Sequence, residues 1–321
     1  MALGLWLVLI LLIMPKENTH LYFAHELLSQ FGNERLEALI LAQVKYYYFG
    51  SIAPDSFYYS AKANVRRVSA ILHGKDGNLT NEAIFALLDK AKENQSEPDL
   101  CLALGYITHC ALDMVFHPVI YYLSGNYYDA DPAKATDAVY LHRHLETYLD
   151  YQINQSYFFN DLISFKILKH CSYNQIISQL YHISQKDIMA ALHRKATIYS
   201  LLRSNIVLSV LYFFYRIVER SSWSRLKVLL GIFYGNLKRD SRTIPHRINY
   251  RDIITGESKT TTIYDLFNQA REKAVEMVDA GYAYYRGKIS RLEAEQIIRG
   301  ESLDTGRLQM PVSDLKYFYN N

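Results

Sequence analysis

Apolar residues recur at intervals of three and four along most of the chain, a spacing that predicts helices rather than strands. Leu21, Phe23, Ala24, Leu27 and Leu28 form one such stripe, with Thr19 as the expected N-cap and Gly32-Asn33 as the expected stop. Leu36, Leu39, Ile40 and Val44 mark a second helix from Glu34 to Tyr48, and residues 80–93 read as an amphipathic third. The run from Leu102 to Pro118 is apolar in nearly every direction, so its helix is expected to be buried all round. Further helices are predicted at 141–150 and from Tyr264 to Tyr285. Ile206 to Tyr215 is apolar but too short to span a bilayer, and is expected to be a buried core helix. Tyr250 to Glu257 is expected to turn, and no alternation is sustained enough to predict a sheet. The predicted class is all-α.

Three polar side chains interrupt the most apolar run at four-residue spacing: His109, Asp113 and His117. Positions i, i+4 and i+8 drift by only about 40° per step, so the three line one edge of the helix. A buried carboxylate needs a compensating cation, and imidazoles beside it point to a metal rather than an ammonium. His142 and Glu146 repeat the spacing farther on, Asp150 continues their edge, and His144 faces elsewhere. His20, Asp55 after Pro54 and His73 before Gly74 are the other candidates. Taken singly, each has an ordinary explanation in a turn, a helix end or a solvated ion pair. Their concentration in the first half of the chain argues for a metal site. His170, His182, His193 and His246 lack carboxylates at helical spacing and are expected to be structural or on the surface.

Composition narrows the chemistry. The chain has 321 residues, of which 50% are hydrophobic and 21% charged, enough for one large domain or two. A net charge of +3 is too slight to imply nucleic acid. The 28 tyrosines are expected mainly at helix contacts with a wet hydroxyl. Cys101, Cys110 and Cys171 provide neither zinc-finger spacing nor a disulfide framework, so any metal must be held by His and carboxylate. Such donors suit zinc in a hydrolytic site, or less often iron or manganese. Residues 1–13 are an apolar leader with the length of a signal-peptide core but no cationic start or cleavage site. They act as an export signal or membrane anchor, or else translation starts at Met14 and the protein is cytoplasmic. The expected organisation is a metal-binding helical core over 14–155, with 156–321 packed on it as part of the same domain.

Together these residues resemble the zinc-dependent phospholipase C family, which includes the N-terminal domain of glycosylphosphatidylinositol-specific phospholipase D. The likeness spans about residues 15–150. It rests on Thr19-His20, Gly50-Ser51-Ile52-Ala53-Pro54-Asp55, the Gly105 to His117 segment with its His-x3-Asp-x3-His-Pro, and His142-x3-Glu146. The resemblance implies an all-α multi-helix bundle, a type shared with the single-strand-specific zinc nucleases, holding two or three zinc ions. By position His73, His109 and Asp113 would hold one zinc, and His117, His142 and Glu146 another. Asp113 would bridge, His20 would serve a third ion, and Asp55 would be the general base or water-orienting carboxylate. The implied reaction cleaves a phospholipid to diacylglycerol and a phosphorylated head group. Phe57, Tyr58, Tyr127 and Tyr128 are the expected walls for acyl chains or a choline head. A phospholipid or other phosphodiester is the expected partner and nucleic acid is not, while a membrane surface is a further partner to be tested. Two alternatives stand beside this reading. One is a nuclease-like phosphodiesterase, although those enzymes usually supply Asp where this chain has Glu146; the other is a non-catalytic, metal-stabilised membrane-associated or scaffold protein. Pro118 is expected to end the helix just after His117.

Overall fold

The computed structural model describes residues 17–153, 159–217 and 226–319; the apolar leader and Met14 lie outside them. The architecture is all-α apart from one small hairpin. In chain order the main helices are α1 (Glu17–Leu27), α2 (Glu34–Ala42), α3 (Val44–Gly50), α4 (Ala63–Leu72), α5 (Glu82–Asn94) and α6 (Glu97–Ser124). They are followed by α7 (Pro132–Ile153), α8 (Tyr173–Tyr181), α9 (Gln185–Leu201), α10 (Asn205–Ile217), α11 (Ile263–Tyr285) and α12 (Arg291–Ile297).

The others pack around α6, which begins where the Ser96 side chain accepts the Asp99 N–H and Pro98 occupies the first turn. Its side chains are buried on nearly every face, with α3, α5, α7 and α11 against it. Where α3 crosses α6, the two backbones touch. A Cβ at Gly105 would lie 1.9 Å from the Tyr47 carbonyl oxygen, and one at Gly50 would lie 2.1 Å from that of Leu102. Only glycine permits this approach, and it pins the loop after α3, which leads to Asp55, onto α6. On another side Gly281 of α11 meets Leu104, Ile107 and Leu88. One hydrophobic core runs from Leu21 in α1 to Leu303 near the C-terminus.

Several expectations need correction. Thr19 does not cap α1, which is already helical at Glu17. Instead its N–H and hydroxyl donate to Asp150 Oδ1 at 2.6 and 2.8 Å, so Asp150 ties α1 to α7. The helix predicted over 34–48 breaks at Gln43, whose backbone leaves the helical region. Pro118 does not end α6, which runs on to Ser124. Proline lacks only the N–H that would bond the Met114 carbonyl, and Gly306 from the C-terminal segment sits against that carbonyl; a Cβ there would be 2.5 Å from it. Residues 248–251 and 258–261 pair as antiparallel strands, Ile248 opposite Thr261 and Arg251 opposite Ser258. Four residues of alternation are too few to register against the helical pattern. Finally, α10 is not a buried core helix: Leu208 is its buried residue, whereas Ile206 and Phe213 are 78% and 60% exposed.

The C-terminal segment after α12 returns to the centre of the fold. Thr80 donates through its N–H to the Gly300 carbonyl and through its hydroxyl to that of Glu301, and Leu303 N–H donates to the His73 carbonyl at 3.1 Å. In the hairpin turn Asp252 accepts from Lys259 and from Arg307, each at 3.0 Å, fastening the hairpin to the same segment.

Candidate metal centre

Five parts of the chain deliver side chains to one buried point. His20 comes from α1, Asp55 from the short 3-10 turn Pro54–Tyr59, and His73 from the C-cap of α4. His109, Asp113 and His117 line α6, and His142 and Glu146 line α7. All eight are buried. Behind them Lys195, itself wholly buried, pairs with Glu17 Oε1 at 2.7 Å. It also donates to the Ile52 carbonyl and the Ser56 hydroxyl, which braces α1 against the Asp55 turn.

Asp113 stands at the middle with its two oxygens facing different neighbours. Oδ2 lies 3.0 Å from His109 Nε2 and 3.5 Å from His73 Nε2, whereas Oδ1 lies 3.3 Å from His20 Nε2 and 3.7 Å from His117 Nε2. Asp55 Oδ1 is 3.1 Å from His73 Nε2. Glu146 Oε1 is 3.1 Å from His142 Nε2 and 3.4 Å from His117 Nε2. Three groups could each hold an ion, with ligand atoms within 4.8 Å of one another: His20, His109 and Asp113; Asp55, His73 and His109; His117, His142 and Glu146.

A hydrogen bond joins His142 Nε2 to Glu146 Oε1 at 3.1 Å, but most of the other polar groups at this point do not satisfy one another. His73 Nδ1–H donates to the Ser69 carbonyl at 2.7 Å and His109 Nδ1–H to the Ser51 carbonyl at 3.0 Å, which leaves each Nε2 as the lone-pair atom of a neutral ring. Those two Nε2 atoms, Asp55 Oδ1, Asp113 Oδ2 and Glu146 Oε2 are buried and make no hydrogen bond. Lone pairs converging on lone pairs repel unless a cation lies between them, so the residues fit metal ions held by N and O donors. Protons substitute in the metal-free protein. Burial pushes the His73 imidazolium down, but Asp113 and Asp55 outweigh it and hold it up at about 10. His117 is raised for the same reason, with Asp113, Asp304 and Glu146 overcoming burial. Burial works the other way on Glu146, yet His142 and His117 draw it down to about 2, and His117, His109 and His20 draw Asp113 well below the carboxylate range.

Of the aromatic candidates, Tyr58 and Tyr127 border the centre, with ring centroids 5.4 Å from His73 and from His142 respectively. Tyr128 is 57% exposed, and Phe57 is wholly buried in the core. Among the scattered histidines, His170, His182, His193 and His246 are exposed, and buried His144 stacks on Tyr140, away from the ligands.

Asp304 was not among the candidates. Its Oδ1 accepts from the Tyr121 hydroxyl at 3.2 Å and lies 3.5 Å from His117 Nδ1, the ring nitrogen turned away from Glu146. A carboxylate behind a ligating imidazole orients the ring and strengthens its donor atom, and its loss typically costs about 10–100-fold in metal affinity. Asp304→Asn is expected to weaken metal binding by about that factor in a chelator competition, with the unfolding midpoint of the metal-free protein little changed. Unchanged affinity would remove Asp304 from the site.

A family model, zinc dependent phospholipase C, matches residues 19–204. Searches of curated proteins and of solved structures found no match.

Proposed function

Since the chain belongs to the zinc-dependent phospholipase C family, we propose that it is a zinc-dependent phosphodiesterase that cleaves phospholipids on the glycerol side of phosphorus. The products are diacylglycerol and a phosphorylated head group. The observation that carries this reading is the convergence of unbonded Nε2 and carboxylate oxygens from His73, His109, Asp55 and Asp113 on one buried point, with the His117, His142 and Glu146 group joined to it through His117. His73, His109 and Asp55 would hold one ion, His117, His142 and Glu146 another, and His20 with the far oxygen of Asp113 a third. Bound there, zinc would supply a water of lowered pKa and offset the charge that builds on phosphorus.

The chain's own residues do the rest. Asp55 gives one oxygen to the ligand set and keeps the other to orient the attacking water and take its proton. Asp113, with its oxygens on two sides, sets the spacing between the ligand groups. The backbone carbonyls of Ser51 and Ser69 hold the His109 and His73 rings in the ligating tautomer. Tyr58 and Tyr127 wall the approach and limit bulk water.

The test is a zinc determination on purified protein, followed by assays on phosphatidylcholine, bis-p-nitrophenyl phosphate and single-stranded DNA. Expected are two or three zinc ions per chain, and phosphatidylcholine hydrolysis that a chelator abolishes and zinc restores. Protein without metal would overturn the reading. Metal without turnover would favour the scaffold alternative, and cleavage confined to DNA would favour the nuclease one.

A further inference from the structure

We propose that Arg143 is the anion-binding residue of this site, taking a non-bridging oxygen of the substrate phosphodiester with the Tyr127 hydroxyl beside it. The inference rests on the phosphodiesterase reading and deepens it.

Arg143 precedes Glu146 by three residues on α7, so it neighbours that candidate ligand on the helix surface, one step round from the edge that carries His142. It is only 3% exposed, yet among the described residues its Nε and Nη1 find no hydrogen-bond partner. A buried guanidinium normally spends its five donors on carbonyls or carboxylates. Here Glu146, the nearest acid on the helix, has turned its Oε1 to His117 and His142. No described carboxylate lies within 4.0 Å of the guanidinium. The charged and phenolic groups that surround it, Tyr127, Glu146, Tyr59 and Tyr58, include two that border the metal centre, and burial draws its pKa down. The Tyr127 hydroxyl is likewise buried without a partner, its ring 5.4 Å from His142. Two kinds of donor, both desolvated and both unused among the described residues, are therefore within electrostatic reach of each other and of Glu146.

The disposition of the acids identifies what they await. Zinc ions would engage Asp55, Asp113 and Glu146, Asp304 is turned to His117 and Tyr121, and Asp150 is spent on Thr19 and Asn18, so none of these carboxylates is left to pair with the guanidinium. A phosphodiester monoanion offers the missing partner, and its paired oxygens match the guanidinium fork.

The experiment uses zinc-loaded wild type, Arg143→Met, Arg143→Lys and Tyr127→Phe, titrated by calorimetry with dimethyl phosphate and with inorganic phosphate and followed by thermal melts. Arg143→Met is expected to keep its zinc and lose at least tenfold in affinity for dimethyl phosphate. Arg143→Lys should lose less, and Tyr127→Phe a few-fold. Without ligand, Arg143→Met should melt no lower than wild type, because no bond is lost with the guanidinium. Unchanged affinity, or a large fall in melting temperature that Arg143→Lys does not rescue, would overturn the proposal. Loss of affinity for inorganic phosphate alone would overturn the assignment to a diester. Zinc-loaded wild type that binds dimethyl phosphate through Arg143 but hydrolyses no phosphodiester would overturn the phosphodiesterase reading alone, whereas wild type that holds no zinc would overturn both.

Discussion

Asp113→Asn is expected to strip zinc from the centre and abolish phospholipid hydrolysis. Asparagine keeps the shape of the side chain but exchanges one oxygen for an NH2 donor and removes the charge. Each oxygen of Asp113 faces a different set of imidazoles, His109 and His73 on one side and His20 and His117 on the other, so both sets lose their shared acid. Removing one partner of a buried ionic cluster costs about 3–5 kcal/mol. At about 1.4 kcal/mol per factor of ten, that is roughly a 10²- to nearly 10⁴-fold loss of zinc affinity, and kcat/KM falls at least in proportion. Metal content by atomic absorption and turnover on phosphatidylcholine measure the two effects. Full zinc occupancy in the variant would show that Asp113 does not join the ligand groups.

The second large effect is expected far from any ligand. In Gly105→Ala the new methyl would meet the Tyr47 carbonyl oxygen at 1.9 Å, and no side chain can move to relieve it because both sides of the contact are main chain. Overpacking commonly costs about 1–3 kcal/mol; with two helix backbones forced apart, the loss here is expected at or above about 3 kcal/mol in denaturant unfolding. Zinc affinity should fall with it, because the Ser51 carbonyl that orients His109 belongs to the displaced loop. Gly32→Ala is the control. Its backbone is left-handed at φ +60° with nothing within 4 Å, so it should lose only the strain of about 1–2 kcal/mol and leave zinc affinity unchanged. A Gly105→Ala midpoint equal to that of the control would show that α3 and α6 do not depend on this contact.

Much of the candidate site was legible because its metal-ligating candidates obey helical spacing. His109, Asp113 and His117 on α6, and His142 and Glu146 on α7, each announce a polar edge on an otherwise apolar helix, and the structure brings those edges together. The residues that escaped notice share an opposite property. Asp304 lies in an irregular segment, well beyond residues 19–204 matched by the family model, and reaches His117 where Leu303 bonds the His73 carbonyl and Gly306 packs on the carbonyl that Pro118 leaves free. Arg143 sits one residue from a ligand and looks like any solvated helix cation until its burial is known. α10 was misjudged for a related reason: its apolar stripe is plain, but periodicity records which residues share a face and not whether anything covers it.

What the sequence determined by itself was the class of fold and the chemical kind of donor. Apolar spacing of three and four selects helices, and a buried carboxylate among imidazoles requires a cation whatever the packing. Only the tertiary structure decided which candidate donors come together, that Asp113 faces two groups at once, that the C-terminal segment closes behind His117, and that the buried Nε and Nη1 of Arg143 bond nothing among the described residues. Those outcomes depend on contacts between residues tens to hundreds of positions apart, set by how close two backbones can come at Gly50, Gly105 and Gly306. Local spacing carries no information about such distances; the packing of whole helices does.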